Sequence, residues 1–424
     1  MKRRDLAAAL VLLALLTRPA GAVVLGEDEL EETSTEVGFV ARTFSFLLTG
    51  PLLELFGTEP SGMAVLDLRA YFAHKSPALS IVSHLNLTST VRAHDLGGSL
   101  ALGRSFAPPR WLPLRVGLAE DPTVSVIGAV DWLYASYTRD LWTITVGRQP
   151  ITFGRGKLFR PSDVVATFAL TEVDTEFKSG ADALRIDWSP AENTNLSLVA
   201  VTGELEVDND VQASLQGTSI LVRGERGIGA SQIGGIVGFV RGDGVLGVDG
   251  VIDMDGYEIY GEATATVVTE RSLGRDPDLI KAGDIVPRAV LGASFKAGDV
   301  TLSPEFVYNG FGARLSDQYL TVAASPRVAI GEQSTLGRYY TGLVVGWQLH
   351  PLWSLGGVAL ANLGDRSALA SLAVRGNLSD NSFIVVGGYI GAGKTPELVG
   401  LDLVVEDEFG LYPRFFFAEL ELVY

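Results

Sequence analysis

The feature that most constrains this chain is a hydropathy pattern with a period of two residues, which dominates the sequence after residue 60. In the segment 257–270, Ile259 and Val267 share one face with small residues, whereas Glu258 and Glu262 lie on the other. A period of two indicates β-strands that have one apolar and one polar face. The chain is therefore predicted to be all-β.

The length of the alternating segments separates two all-β architectures. A soluble sandwich buries its apolar faces between two sheets, whereas a transmembrane barrel turns them to lipid and its polar faces to a lumen. Segments such as 79–92 and 300–309 exceed the ~5–6 residues usual in soluble strands and match the ~9–11 that span a bilayer. The pattern favours a transmembrane antiparallel β-barrel.

Composition agrees with this interpretation and excludes several others. The mean hydropathy is +0.26, yet the longest apolar run, Leu6–Leu16, is shorter than the ~20 residues that a membrane-spanning helix needs. A chain without cysteine cannot form disulfides or thiolate metal sites. A net charge of −17 argues against a nucleic-acid partner. No cofactor is predicted.

The N-terminus reads as an export signal. Lys2, Arg3 and Arg4 precede the apolar run Leu6–Leu16, and Ala20-Gly21-Ala22 forms a cleavage site, so residues 1–22 are predicted to be a signal peptide. Its removal takes away a net +3, which leaves −17 − 3 = −20. Residues 23–35 are expected to form an acidic, flexible periplasmic segment, and residues 36–424 the barrel in the outer membrane of a Gram-negative cell.

Turn and loop signals give the strand number. Outer-membrane barrels alternate short periplasmic turns with long extracellular loops. Eight short turns and nine longer loops predict 18 strands, including a long loop at 154–180. Because the first strand (36–48) and the hairpin around Asp243 are weakly patterned, 16 strands is the alternative. The turns are predicted near residues 74–77, 138–141, 189–194, 226–229, 254–256, 297–299, 349–351 and 377–381.

Aromatic residues support a membrane location. Tryptophan favours the membrane–water interface, and five tryptophans lie close to the predicted turns. They are Trp132, Trp142, Trp188, Trp347 and Trp353. The last strand has Phe416 and Leu420 on one face and ends in Tyr424, which predicts recognition by the barrel assembly machinery, with outer-membrane lipid around the finished barrel.

The segment 146–187 departs from the alternation. Strict alternation after Val146 would place Arg148 in lipid, at a cost of ~2–4 kcal/mol at mid-depth. We therefore expect a change of register at Gly147. It would turn Arg148 and Thr152 to the lumen and leave Ile151 and Phe153 outside.

The long loop that follows is rich in charge, and a loop rooted in inward-facing charges can narrow a pore and create a transverse field across it. The alternative is an outer loop whose charges pair with each other and only stiffen the rim. The residues predicted to line the constriction are Arg148, Arg155, Arg160, Asp163, Asp174, Lys178, Asp182, Arg185, Asp187, Glu258, Glu262 and Glu305.

Three short motifs in this segment are more specific: G-R-Q at 147–149, G-x-G-x-L-F-x-P-x-D at 154–163 and G-A-D-A-L-R at 180–185. Together they resemble a segment of porin-like outer-membrane proteins related to the alginate-export barrels. The resemblance implies an 18-strand barrel that acts as a passive conduit. Alginate exporters pass an anionic polymer through an arginine-rich lumen, whereas the lumen predicted here is mixed and net acidic.

These observations predict a porin-like channel for the passive passage of small hydrophilic solutes or ions, and not an enzyme. A mild cation preference is expected, because the inward charges outside the long loop comprise eight carboxylates and His84 against four arginines. The alternatives are a polysaccharide-export conduit, a plugged structural or adhesive barrel, and a hydrolase built on His94, Asp95 and a loop serine. The inward charges are Asp67, Arg69, Arg92, Asp131, Arg148, Arg185, Asp187, Glu258, Glu262, Glu305, Glu419 and Glu421.

Overall fold

The chain forms a closed antiparallel barrel of 18 strands. The computed structural model describes residues 23–28, 32–55, 57, 60–93, 108–166, 177–207, 210–213, 216–274, 279–400 and 402–423. The barrel strands are β1 (Thr33–Thr49), β2 (Ser61–Lys75), β3 (Leu79–Arg92), β4 (Val124–Arg139), β5 (Trp142–Gln149), β6 (Ala181–Ala191), β7 (Thr194–Val201), β8 (Ser219–Ile228), β9 (Ser231–Val240), β10 (Asp243–Met254), β11 (Tyr257–Val267), β12 (Ile285–Ala297), β13 (Val300–Asn309), β14 (Tyr339–His350), β15 (Trp353–Asn362), β16 (Ala368–Ser379), β17 (Ser382–Ala392) and β18 (Arg414–Val423).

Each strand pairs with its neighbours in sequence, and the first strand closes the ring with the last. β1 pairs with β2 on one edge and with β18 on the other, from Thr49 opposite Arg414 to Val40 opposite Val423. The prediction of 18 strands is confirmed, including the hairpin at Asp243. All eight predicted short turns connect consecutive strands at one end of the barrel, here called the turn end; the other is the loop end.

The alternation separates the two faces of the wall. In β8, Ile220 and Val222 are exposed on the outer surface, whereas Leu221 and Arg223 between them are buried. The same contrast recurs around the ring: exposed apolar side chains form a band on the outer surface, and the residues that alternate with them face inward. The positive mean hydropathy thus belongs to the outer surface. No helix in the described part of the chain is long and apolar enough to cross a membrane.

The N-terminal region differs from expectation. Residues Val23–Asp28 form an additional strand antiparallel to β1, with Val23 opposite Val37 and Asp28 opposite Thr33. The flexible segment predicted there is therefore wrong for these six residues. The physical reason is that β1 begins at Thr33 and extends past the end of β18, so its backbone groups need another partner.

The wall is interrupted where β5 ends. β5 pairs with β4 only along Leu133–Arg139. The part of β4 nearer the loop end, Ser125–Ala129, is instead paired with a short strand, Arg115–Glu120, which the preceding loop contributes. The chain leaves the wall after Gln149 and returns at Ala181. This departure supplies the segment that carries the candidate site.

The tryptophans divide into two groups. Trp142 and Trp188 stack with ring centroids 5.4 Å apart, and Trp142, Trp347 and Trp353 are exposed near the turn end. Trp132 differs, because its ring lies 4.2 Å from the buried imidazole of His84. Its expected interfacial position is wrong, since an extra residue in β4 opposite His84 and Leu85 shifts the local register.

Candidate functional site

The candidate site is built on residues 150–166, here called the inward segment, which packs against the inner face of the barrel. Ile151 and Phe153 are buried in a cluster with Val199, Leu221 and Ile236, which are inward-facing residues of β7, β8 and β9. The prediction that Ile151 and Phe153 lie outside is therefore wrong. The chain leaves the wall here, so the alternation no longer relates a residue to lipid.

Main-chain hydrogen bonds hold the inward segment to β11. Glu262 Oε1 accepts from the backbone N–H of Arg155 at 3.1 Å and of Gly156 at 2.9 Å. Its Oε2 accepts from the N–H of Ser162 at 2.9 Å. One carboxylate thus binds both sides of a tight bend, and since Glu262 is buried these charge-assisted bonds are protected from water.

A second carboxylate, on β13, binds the tip of the bend. Glu305 accepts from the backbone N–H of Lys157 at 2.5 Å and of Leu158 at 3.1 Å. The hydroxyl of Tyr260 donates to the same carboxylate at 2.8 Å. The inward segment therefore reaches from β7–β9 to β13.

Two glycines permit this close approach. Gly154 has φ +91°, and a Cβ built on it would lie 2.6 Å from Oε2 of Glu262. A Cβ on Gly156 would lie 1.7 Å from the carbonyl oxygen of Phe159. The G-x-G motif at 154–156 is therefore explained by two close approaches: that of Gly154 to Glu262 of the wall, and that of Gly156 to Phe159 within the bend.

Side chains of the segment complete a charged network. Arg155 Nη2 lies 2.7 Å from Glu225 of β8, and its Nε lies 3.1 Å from Asp249 of β10. Arg223 binds the same two carboxylates, with Nη1 2.7 Å from Asp249. Two guanidinium groups thus face two carboxylates. Beyond them, Lys157 Nζ lies 3.7 Å from Glu258, and both side chains are partly exposed.

The far side of the segment packs on an aromatic surface. The ring of Phe159 stacks on Tyr340 of β14 with centroids 6.0 Å apart, and Leu158 approaches Gly342. The cluster that they join contains Leu48, Leu53, Val290, Val307, Tyr340, Leu360, Leu369, Tyr389, Phe409 and Phe415. The interior at this level therefore has a charged side and an aromatic side.

The returning end of the loop is fixed by ion pairs. Lys178 Nζ lies 2.5 Å from Asp163 and 2.9 Å from Thr152 Oγ1, which links the two ends of the inward segment. Burial raises the pKa of the Asp163 carboxyl to about 6, although Lys178 acts in the opposite direction. The ring of Phe177 is sandwiched between Arg42 and Arg69, 5.0 and 4.1 Å from their guanidinium carbons.

Arg148 lies at the point where the chain leaves the wall. Its Nε and Nη2 contact the carboxylate of Asp182 at 2.7 and 2.9 Å, and its other donors bind the carbonyl oxygens of Leu112 and Val130. Gly147 has φ +119°, but the pairing of β5 with β4 and with β6 continues through it in unbroken register, so the change of register predicted at Gly147 is wrong. Arg148 is 1% exposed, and the preceding loop binds both members of the pair: Leu112 O accepts from Arg148, and the N–H groups of Trp111 and Leu112 donate to Asp182.

The predicted site residues thus fall into separate places. Arg155, Glu262 and Glu305 meet at the inward segment, together with Asp163 and Lys178. Arg148 and Asp182 form the pair in the wall. Arg185 and Asp187 pair nearer the turn end, at 2.8 Å.

The remaining predicted residues lie outside these groups. Arg160 donates from Nε to the carbonyl oxygen of Gly156. Asp174 lies outside the described residues, as do His94, Asp95 and Tyr424.

Several charged residues of the interior are absent from the sequence prediction. Arg223, Glu225 and Asp249 follow the alternation of β8 and β10 and could have been assigned by it. The ion pairs of Glu332 with Arg241 and Arg327, 3.3 and 2.7 Å, could not, because all three residues lie in loops, where no strand alternation applies, and the pair with Arg241 joins two different loops. Burial acts to raise the pKa of Glu332, but the surrounding arginines lower it to about 2.

The described histidines do not form a catalytic arrangement. His74 Nδ1 lies 2.8 Å from the hydroxyl of Thr35, His350 accepts from the backbone N–H of Leu352, and His84 packs on Trp132. None of the three hydrogen-bonds to a serine or a carboxylate. Across the described ranges, no group of His, Asp and Glu side chains is arranged to hold a metal ion.

The fold is that of outer-membrane porins. No protein-family model and no curated protein sequence matches the chain. Among solved structures, it is similar to OccD3 (OpdP) of Pseudomonas aeruginosa, with TM-score 0.55, 8% identity and coverage of 97% of this chain and 96% of that one. For OccAB4 of Acinetobacter baumannii the TM-score is 0.53 and the identity 8%, and the match covers 92% of this chain and 98% of that one. For OpdK of P. aeruginosa, solved with vanillate, the TM-score is 0.51 and the identity 9%, and the match covers 92% of this chain and 98% of that one.

These solved structures are Gram-negative outer-membrane porins with 18-strand barrels. At identities this low, the likeness concerns the fold of the whole chain and not its solute. The class of protein that the chain resembles in fold is therefore the 18-strand outer-membrane porin.

Proposed function

We propose that the protein is an outer-membrane channel through which small hydrophilic solutes or ions pass passively, and that the inward segment forms a charged constriction. The observation that carries this proposal is the attachment of residues 155–158 to Glu262 and Glu305 inside a closed 18-strand barrel. A chain segment fixed across the interior narrows the path and exposes Lys157 and Glu258 to it.

The solute is proposed to be small. The OpdK structure, solved with vanillate, supports this for a barrel of the same fold. A mild cation preference remains our prediction, because Glu262 and Glu305 are bound by backbone amides and a phenol rather than by cationic side chains. Their negative charge is therefore not cancelled by a direct ion pair.

Location and export belong to the same proposal. Residues 1–22 are proposed to direct export and to be removed, and the C-terminal strand that ends in Tyr424 to engage the barrel assembly machinery. The exposed apolar band, with Trp142, Trp347 and Trp353 near one rim, supports insertion in the outer membrane. The turn end is then periplasmic and the loop end extracellular.

Single-channel recording of the purified barrel in a planar bilayer tests the function. We expect discrete conductance steps, and a reversal potential in a KCl gradient that shows a modest preference for K⁺ over Cl⁻. Folded protein that inserts without conducting would contradict the channel and favour a plugged structural barrel. A clear preference for Cl⁻ would contradict the cation preference alone.

The relation to alginate-export barrels stays a proposal that rests on the motifs at 147–149, 154–163 and 180–185. In this structure the motif residues attach the inward segment: Gly154, Gly156 and Asp163 do so directly. They do not build an arginine-lined path, since Arg148, Arg155 and Arg223 are all engaged with carboxylates. Small solutes are therefore favoured over a polyanion.

A further inference from the structure

A small cavity lies where three parts of the chain meet near the loop end. Its walls come from the inward segment (Arg160 and Pro161), from the barrel (Arg288 and Asn309) and from the loop between β13 and β14 (Glu332 and Ser334). The volume is about 60 Å³. Since one water needs about 10–15 Å³ on this measure, the cavity can hold a group of a few heavy atoms.

Arg288 is the unusual member of this wall. It is 8% exposed, and its Nε and Nη2 atoms are buried without a hydrogen-bond partner among the described residues. The other six buried arginines of the described chain each form an ion pair with Asp or Glu: Arg42, Arg69, Arg148, Arg223, Arg241 and Arg327. A buried charge without a partner is strongly unfavourable, so the site calls for a counter-ion.

The charges around the cavity favour an anion. Arg160 contributes a second guanidinium, of which Nε donates to the carbonyl oxygen of Gly156. The one carboxylate in the wall, Glu332, is already bound by Arg327 at 2.7 Å and Arg241 at 3.3 Å. Arg327 is also bound by Asp243. Arg288 lies over the ring of Phe311, with its guanidinium carbon 5.5 Å from the ring centroid, but it forms no ion pair within the described part of the chain.

We propose that this cavity binds a small oxyanion, of the size of inorganic phosphate, between the guanidinium groups of Arg288 and Arg160. Guanidinium groups present paired N–H donors that match the oxygens of phosphate or carboxylate, and Ser334 adds a hydroxyl. The bound anion joins the inward segment to the β13–β14 loop and to the wall. It is a resident ligand that stabilises the loops, and it does not depend on the channel function proposed above.

Thermal unfolding of the full-length, folded barrel tests the proposal. Inorganic phosphate is titrated against chloride at constant ionic strength and pH, and the unfolding temperature is recorded for the wild type and three variants. We expect phosphate to raise the Tm of the wild type in a saturable way, because a ligand that binds only the folded state stabilises it. Arg288→Gln should weaken the apparent affinity by about tenfold or more, and Arg160→Gln by a smaller factor.

Arg314→Gln is the matched control, because it removes an exposed arginine from the same loop. It should leave the phosphate response unchanged. The proposal is overturned if the wild type responds equally to phosphate and chloride, or if the response persists in Arg288→Gln. If Arg288→Gln does not fold, Arg160→Gln decides the matter: an unchanged apparent affinity in that variant contradicts the site. Conductance, measured separately, reports on the channel and not on this ligand.

Discussion

The backbone nitrogen of Gly156 lies 2.9 Å from Oε1 of Glu262, so a strand of the wall holds the inward segment by its main chain. Because the contact uses main-chain groups, the residue types that it constrains are Gly154 and Gly156, where an added Cβ would clash. The exposed side chains, such as Lys157, are then available to the solute.

Glu262→Ala should loosen the inward segment. The substitution leaves the N–H groups of Arg155, Gly156 and Ser162 without their acceptor, at about 1–3 kcal/mol for each buried group. We expect a larger single-channel conductance with more frequent fluctuations. Glu258→Ala is the control, since it removes the same charge without any contact to the backbone of the segment. Equal effects of the two variants on conductance would contradict the anchoring role.

Gly156→Ala should disrupt the bend. The new Cβ would lie 1.7 Å from the carbonyl oxygen of Phe159, which is main chain and cannot turn aside. We expect a loss of about 1–3 kcal/mol in the free energy of unfolding and faster proteolysis at the loop end. Gly356→Ala, where no atom lies within 4 Å of the added Cβ, should behave like the wild type in both assays.

Arg148→Met should destabilise the barrel strongly. It leaves Asp182 buried without its partner, and breaking a buried ion pair typically costs about 3–5 kcal/mol. The double variant Arg148→Met/Asp182→Leu should recover part of that loss. Arg139→Met removes an exposed ion pair with Asp140 and should change the free energy of unfolding by less than about 1 kcal/mol. Similar losses in the Arg148 and Arg139 variants would contradict the role of the pair.

The loop that precedes β18 should loosen as the pH rises. Glu408 is buried, and it accepts from Tyr340 Oη at 2.5 Å and from the backbone N–H of Leu336 at 2.7 Å. Burial raises the pKa of its carboxyl to about 7 from an ordinary value of 4.5. A raised pKa means that the protonated form is favoured by folding, so this stabilisation is complete below pH 4.5 and is lost as the pH rises through 7.

Limited proteolysis of residues 393–413 measures this effect. The wild type should be cut faster at pH 8 than at pH 5, beyond the intrinsic pH dependence of the protease. Glu408→Gln, which stays neutral, should remove that excess. Glu406→Gln, which alters an exposed carboxylate two residues away, should keep it. An excess that survives in Glu408→Gln would show that another group titrates.

The wall of the barrel could be predicted from sequence because lipid and water impose a strict two-residue alternation on each strand. Even the short hairpin at Asp243 obeys it, which explains why the count of 18 was correct. The rule fails where its physical cause is absent. Beyond Gln149 the chain no longer faces lipid, so the alternation assigned Ile151 and Phe153 to the wrong side.

The candidate site was only partly predictable for a related reason. Glu262 and Glu305 could be assigned to the interior, because they alternate with lipid-facing neighbours. Their partners could not be foreseen, because main-chain amides leave no trace in residue type. The glycines of the motif at 154–156 were the only sequence signal of that contact, and they specify close approach without naming the residue approached.

The strand Val23–Asp28 has a consequence for how the ring closes. It occupies the edge of β1 from Thr33 to Val37, in line with β18, which occupies the same edge from Val40 to Thr49. The hairpin that it forms with β1 is local in sequence, whereas the pairing of β1 with β18 joins the two ends of the chain. Once the hairpin has formed, the strand Val23–Asp28 occupies the part of the β1 edge that lies beyond the end of β18. A shift of β18 by two residues toward the turn end is then blocked. The strand Val23–Asp28 therefore helps to fix the register in which β18 closes the barrel.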